Sequence, residues 1–221
     1  MLLRRFTDKS AIGAGLLALL VLAACGGPGP VRDAQAPQER TGEPVAGAAE
    51  TVLPDAPPEV LTRFEQATAV MAAGDMVDAE LRFEEFVLMY PDYPGAWVNL
   101  AIIYTGNGDD EAARQALDSA LAINPNHAVA LNQMGMLLRR NGNFLEAEAA
   151  YLKAVTVSPD YALAHYNLGV LNELYLQRLE AALHHFETYQ SLVGEDKQVE
   201  KWISDLKRRV AASQQTANVA E

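Results

Sequence analysis

Cysteine and basic side chains are scarce in this chain of 221 residues, and each shortage excludes a class of function. The single cysteine, Cys25, excludes an internal disulfide, and the four histidines lack the spacing of a metal site or a nucleophilic triad. We therefore expect no enzyme activity, no small-molecule substrate and no bound cofactor or metal. The 17 basic residues against 29 acidic residues give a net charge of −12, which disfavours nucleic acid and anionic lipid headgroups as partners.

The acidic excess is concentrated in one segment of the chain. Residues 59–118 contain twelve acidic side chains against three arginines, a net charge of −9. Such a surface attracts a basic protein partner, but a solvated face that only keeps the protein soluble has the same composition. The solvated face is the favoured interpretation of the two.

Small residues recur along the chain at a fixed interval of 34 positions. A constant period of this length predicts one helix-turn-helix unit that is copied and stacked into a solenoid. Within the second copy, Trp97, Leu100 and Tyr104 follow helical spacing, and Gly108-Asp109 provides a turn and a helix cap. The predicted fold class is therefore all-α. The two series of small residues are Ala67, Ala101, Gly135 and Gly169, and Ala79, Ala113, Ala147 and Ala181.

The residues at these intervals resemble the tetratricopeptide repeat (TPR), whose pattern is W-x2-L-G-x2-Y, A-x3-F and P. The predicted repeat domain covers residues 59–195, with repeats at residues 60–93, 94–127, 128–161 and 162 to about 195. In the fourth copy His165 replaces the tryptophan and is predicted to be packed and hydrogen-bonded. Phe186 falls one position later than Tyr151 predicts, which indicates a shifted helix pairing there. Residues 196–212 are predicted to form a helix that caps the stack, and residues 213–221 a disordered tail.

Residues 1–24 have the composition of a secretory signal peptide. Basic residues precede an apolar run at residues 11–22, which is too short to span a bilayer as a permanent helix. The run leads into Leu-Ala-Ala-Cys at Cys25, which resembles a bacterial lipoprotein signal. The resemblance implies that Cys25 carries acyl chains, and that Gly26 directs the protein to the periplasmic face of the outer membrane rather than to the inner membrane. A signal peptide with an incidental cysteine is the alternative.

Residues 25–58 join the predicted lipid anchor to the repeats. They are rich in glycine, proline and alanine, a composition that does not bury enough apolar surface to fold. We expect a disordered tether with a root-mean-square reach of about 30 Å.

The TPR resemblance implies that the first helices of the repeats line a concave groove that binds a protein segment. The alternative is that these residues pack in the core, against a neighbouring repeat or the capping helix. The two interpretations weigh equally for Phe64, Val98 and Ile102, whereas the groove is favoured for Asn132, Arg139 and Tyr166, which a core would not select. The predicted groove residues are Phe64, Thr68, Met71, Val98, Ile102, Thr105, Asn132, Met136, Arg139, Tyr166, Val170 and Glu173.

Two classes of function remain open from the sequence. The first is a lipid-anchored periplasmic adaptor that holds a protein partner while a cell-envelope complex is assembled or maintained, either pilotin-like or as a scaffold for cell-wall enzymes. The second is a structural component whose repeats associate with one another in such a complex. An adaptor purified without its lipid should be monomeric, whereas a self-associating component should form an oligomer alone.

Overall fold

The computed structural model describes residues 56–219 of the chain, with side chains to residue 215. This part of the chain contains nine α-helices and no strand, which confirms the all-α prediction. None of these helices is both long and apolar enough to cross a lipid bilayer. The predicted signal peptide, Cys25 and most of the predicted tether lie outside the described residues. The helices are α1 (Pro58–Ala72), α2 (Met76–Met89), α3 (Pro94–Asn107), α4 (Asp110–Ile123), α5 (Ala128–Arg140), α6 (Phe144–Val157), α7 (Ala162–Leu174), α8 (Leu179–Val193) and α9 (Lys197–Val219).

The helices form four pairs, α1 with α2 through α7 with α8, and the starts of α2 to α7 follow the 34-residue period, whereas α1 starts 36 residues before α3. Turn glycines separate the helices of these pairs, and Gly108 has the left-handed backbone conformation (φ +80°) that ends α3. Asp109 then caps α4, because its carboxylate accepts a hydrogen bond from the backbone N–H of Ala112 at 2.9 Å. The predicted glycine turn and aspartate cap are therefore present between α3 and α4.

The small residues of the periodic series lie where two helices of a pair approach closely. A Cβ atom added to Gly135 would lie 2.5 Å from the ring of Tyr151, and one added to Gly169 would lie 2.7 Å from the ring of Phe186. Both rings are fully buried. Glycine fits these two positions without a shift of the ring, because the partner helix places an aromatic ring where a side chain would begin.

The fourth pair contains the predicted shift of one residue. Helix α8 begins at Leu179, 35 residues after the start of α6, and Gln177 in the longer turn has a φ of 54°, the only positive φ outside glycine among the described residues. Phe186 consequently occupies the position that Tyr151 holds in the third pair. The prediction for Ala181 needs a correction for the same reason: Ala182 is the fully buried alanine, and Ala181 is half-buried.

Helix α9 begins where the first helix of a fifth repeat would begin. It packs on α8 through Val199, Ile203 and Leu206, and Val210 further along the helix is also buried. Its opposite face is polar, as expected for a helix that closes a repeat stack. The helix extends to Val219, so the residues predicted as a disordered tail are helical as far as that residue. Residues 211–219 contain no glycine or proline to end the helix earlier.

Candidate partner-binding surface

The twelve predicted groove residues divide into two equal groups by burial. We call the surface on which their α1, α3 and α5 members lie the groove face. The partly exposed residues are Thr68, Met71, Ile102, Thr105, Met136 and Glu173. The buried residues are Phe64, Val98, Asn132, Arg139, Tyr166 and Val170.

Two of the buried residues belong to the apolar core of the first repeats. Phe64 packs edge-on against Phe83 and Phe86, with ring centroids 5.9 and 5.6 Å away. Val98 lies in the same core cluster. For these two residues the structure therefore favours the core over the groove, whereas Ile102 of the same predicted set retains partial exposure.

Asn132 is a buried polar residue that links two repeats, and its assignment to an exposed groove is corrected accordingly. Its side chain is 0% exposed. Its Oδ1 accepts a hydrogen bond from Nδ2 of Asn167 on α7 at 2.9 Å, and its Nδ2 contacts the sulfur of Met136 at 3.7 Å. Burial raises the pKa of the neighbouring Tyr161 phenol, and its contact with Asn132 opposes that rise. A buried amide is tolerated here because Asn167 provides its partner.

Arg139 is also buried, under the turn that follows α7. Its guanidinium carbon lies 5.9 Å from the centroid of the Tyr175 ring, within the range of a cation–π contact. Tyr175 in turn stacks on Phe144, with centroids 4.6 Å apart. The sequence does not reveal this contact, because Tyr175 lies in the irregular turn of the fourth repeat, where the 34-residue pattern is lost.

Helix α9 covers the predicted groove residues of the fourth repeat. The Tyr166 ring lies 6.2 Å from the Trp202 ring, and Val170 packs in the same cluster as the buried face of α9. Glu173 forms an ion pair with Arg209 at 2.7 Å. These three residues are contacts of the capping helix, so the part of the predicted groove that stays accessible is formed by α1, α3 and α5.

The accessible groove face is largely apolar, with polar groups at its rim. Met71, Ile102 and Met136 provide the apolar surface, one residue from each helix. Arg140 at the end of α5 donates a hydrogen bond to the carbonyl oxygen of Thr105 at 2.9 Å and forms an ion pair with Asp110. Such a surface binds apolar side chains of an extended or helical segment and orients it through a few polar contacts.

The histidines on α7 and α8 form a packed pair. Nε2 of His165 lies 3.1 Å from the carbonyl oxygen of Pro159, just as the Trp97 indole N–H donates to the carbonyl of Pro91 at 2.9 Å. His165 is buried, as predicted, and its Nδ1 lies 3.2 Å from Nδ1 of His185. Burial lowers the pKa of both imidazoles, that of His185 to about 4. No group of three or more histidine, cysteine or acidic side chains able to hold a metal ion occurs within the described stretch.

Family comparisons identify the repeats. Residues 70–134 match the family described as tetratricopeptide repeat, and residues 135–174 match the family described as TPR repeat. No curated protein matches the chain significantly.

Solved structures share the fold at low sequence identity. A structure from a functional characterization of Pseudomonas aeruginosa pilF superposes with a TM-score of 0.62 and 21% identity, covering 76% of this chain and 74% of that chain. MamA from Desulfovibrio magneticus RS-1 superposes with a TM-score of 0.58 and 18% identity, covering 73% of this chain and 91% of that chain. The first TPR of Spaghetti (RPAP3), bound to the HSP90 peptide SRMEEVD, superposes with a TM-score of 0.50 and 19% identity. The match covers 53% of this chain and 95% of that chain.

Proposed function

We propose that this chain, whose described residues carry tetratricopeptide repeats and have the TPR fold, is a lipid-anchored adaptor that binds a segment of a protein partner on its groove face. The observation that carries the proposal is the partial exposure of Ile102 and Met136 at equivalent places on α3 and α5, and of Met71 on α1, three residues after the equivalent Thr68. A solenoid that needed these residues only for packing would bury them as it buries Phe64 and Val98.

The geometry of the groove face supports a narrow occupant. Ile102 and Met136 lie at equivalent positions on neighbouring helices, with Thr68 at that position on α1, and Met71 and Thr105 lie three residues further along α1 and α3. TPR domains bind protein or peptide segments, and the RPAP3 domain with the same fold is bound to a peptide. Because α9 closes the fourth repeat, the bound segment would lie on the first three repeats only.

The proposed location is the periplasmic face of the outer membrane. Its support is the sequence around Cys25, which resembles a lipoprotein signal, and the composition of the segment between Cys25 and the repeats. A chain tethered over about 30 Å reaches partners away from the lipid surface. Within this setting we propose a role in assembling or maintaining an envelope complex, pilotin-like or as a scaffold for cell-wall enzymes.

Site-specific crosslinking in living cells tests the groove. A photo-reactive amino acid at Ile102 or Met136 should trap one discrete protein, which mass spectrometry then identifies. The same amino acid at Lys153, an exposed position on α6, is the matched control and should not trap it. Equal trapping from Lys153, or trapping only of a second copy of this chain, would contradict the adaptor proposal and favour a self-associating component.

The lipid anchor has a separate test. The intact mature protein should have a mass that corresponds to an acylated Cys25 as its first residue, and Cys25→Ser should release the protein from the membrane fraction. The anchor proposal would be contradicted by a mature chain with an unmodified cysteine, or by a variant that remains in the membrane fraction. Neither result would bear on the proposed binding at the groove face.

A further inference from the structure

The outward face of α2 carries three apolar side chains that the fold does not bury. Val77, Leu81 and Leu88 are 83%, 54% and 82% exposed. At 100° per residue they fall within an arc of about 40°, so they form one stripe along the helix, which we call the α2 stripe.

The other repeats show that the solenoid does not require this stripe. The corresponding residues of α4 are Glu111, Gln115 and Ala122, and those of α8 are Glu180, His184 and Ser191. On α6 only Leu145 of the corresponding three is a large apolar residue. Since the same structural position is polar or small elsewhere in the chain, packing of the repeat does not explain the three large apolar residues on α2.

Acidic side chains flank the α2 stripe on both sides. Glu80 and Glu84 lie on the edge towards α3, and Glu85 lies on the opposite edge. Two of them are held in place by α3: the Tyr104 hydroxyl donates to Glu84 at 2.9 Å, and Nδ2 of Asn107 donates to Glu80 at 3.0 Å. Burial raises the pKa of the Tyr104 phenol, and the neighbouring carboxylates raise it further, to about 12. The surface thus combines an apolar strip with negative charge on each side.

We propose that the α2 stripe binds a basic amphipathic segment of a protein, with apolar side chains over Val77, Leu81 and Leu88 and lysine or arginine side chains opposite Glu80, Glu84 and Glu85. This site goes beyond the proposed function, because it uses the second helix of the first repeat and shares no residue with the groove face. Charge complementarity selects the occupant: residues 59–118 have a net charge of −9, which repels anionic lipid and attracts a basic chain.

A second copy of the chain fits this surface less well. An isologous contact would place the acidic residues of one α2 opposite those of the other. The three consecutive basic residues of α9, Lys207, Arg208 and Arg209, already form ion pairs with Glu187, Asp205 and Glu173. A partner with its own basic residues supplies the opposite charge that an isologous contact between two α2 helices lacks.

Two synthetic peptides of equal length test the proposal. Both place leucines at helical i, i+4 and i+7 spacing, and the remaining positions are lysine-rich in one and glutamate-rich in the other. The full chain is held in nanodiscs of neutral zwitterionic lipid, with empty nanodiscs as the blank, and binding is measured by fluorescence anisotropy. We expect saturable binding of the lysine peptide, weakening with added salt, and at least tenfold weaker binding of the glutamate peptide.

The decisive variant removes the apolar stripe and leaves the charge unchanged. Val77→Ser/Leu81→Ser/Leu88→Ser should weaken lysine-peptide binding at least tenfold, while the far-UV circular dichroism spectrum stays the same. Leu145→Ser/Leu152→Ser on α6, where the side chains are 62% and 42% exposed, is the matched control and should change binding less than twofold. Ile102→Ser on the groove face should also retain binding, which separates this site from the proposed function.

Three results would overturn the proposal. The first is unchanged binding in the triple variant, which would show that charge alone attracts the peptide. The second is equal binding of the two peptides. The third is a concentration-dependent dimer in sedimentation velocity that the triple variant abolishes, since the stripe would then be covered by a second copy of the chain.

Discussion

The close approach of α5 and α6 gives a prediction whose magnitude follows from the structure. Gly135→Ala places a methyl group 2.5 Å from the ring of Tyr151, and Tyr151 is fully buried, so the ring has no open space to enter. Overpacking of this kind costs about 1–3 kcal/mol. Alanine in place of glycine inside a helix contributes about 1 kcal/mol in the opposite direction. We expect a net loss of about 1 kcal/mol in the free energy of unfolding.

The chain contains both a control and a rescue for this variant. Gly106 lies in the last turn of α3 and has no atom within 4 Å of an added Cβ. Gly106→Ala should therefore raise the free energy of unfolding by up to about 1 kcal/mol, the helix propensity alone. In the second repeat the corresponding pair is Ala101 and Leu117, so Gly135→Ala/Tyr151→Leu reproduces a combination that the fold already accepts.

Urea denaturation of the wild type, the two single variants and the double variant measures the coupling between the two positions. Tyr151→Leu alone leaves a cavity beside glycine and should lower the unfolding free energy by about 1–3 kcal/mol, whereas the double variant should lose less than the sum of the two single losses. If Gly135→Ala is as stable as the wild type or gains as much as Gly106→Ala, the two helices do not meet at this distance. The account of the periodic small residues would then be refuted.

Three further predictions concern the interior of the repeats. Burial lowers the pKa of His165 and His185 below 6.5, so the unfolded chain binds protons first and stability should fall as the pH drops from about 6.5 towards 4; His185→Phe should flatten this dependence in urea titrations at pH 7 and 5. Asn132→Leu removes the hydrogen-bond partner of Asn167 and should lower the free energy of unfolding by about 1–3 kcal/mol in urea denaturation, and Asn132→Leu/Asn167→Leu should recover part of this loss. A double variant whose loss equals the sum of the two single losses would contradict the hydrogen bond. Leu206→Ala leaves a cavity at a fully buried site of α9 and should lower the free energy of unfolding by about 2–5 kcal/mol in urea denaturation. Ala211→Ser at an exposed site should change it by less than about 0.5 kcal/mol.

The helix boundaries could be predicted because the determining contacts repeat. Each copy needs a small residue opposite a large one, and these two requirements recur at a fixed interval, so Ala101, Gly135 and their equivalents mark the helix pairs directly. The shift in the fourth copy was visible for the same reason, since Phe186 departs from the interval by one residue and α8 begins one residue late. Local periodicity contains this information without any knowledge of partners.

The burial of Asn132, Arg139 and Tyr166 could not be predicted in this way. Polar or amphipathic residues at groove positions indicate exposure only if no other part of the chain supplies a partner. Here the partners are Asn167, Tyr175 and Trp202, none of which stands at a position that the repeat pattern defines as a contact. The 34-residue period therefore does not predict contacts between non-equivalent positions of different repeats.

The distribution of buried and exposed residues separates the stack into a closed end and an open end. In the fourth repeat, α9 covers the groove positions with aromatic contacts and the Arg209–Glu173 ion pair. In the first three repeats the equivalent positions keep Met71, Ile102 and Met136 partly exposed, and α2 adds its own apolar stripe on another face. The two proposed surfaces share no residue, so substitutions in them should act independently on binding. A partner that lost affinity in the same proportion to Ile102→Ser and to the α2 stripe variant would have to contact both faces of the first repeats at once.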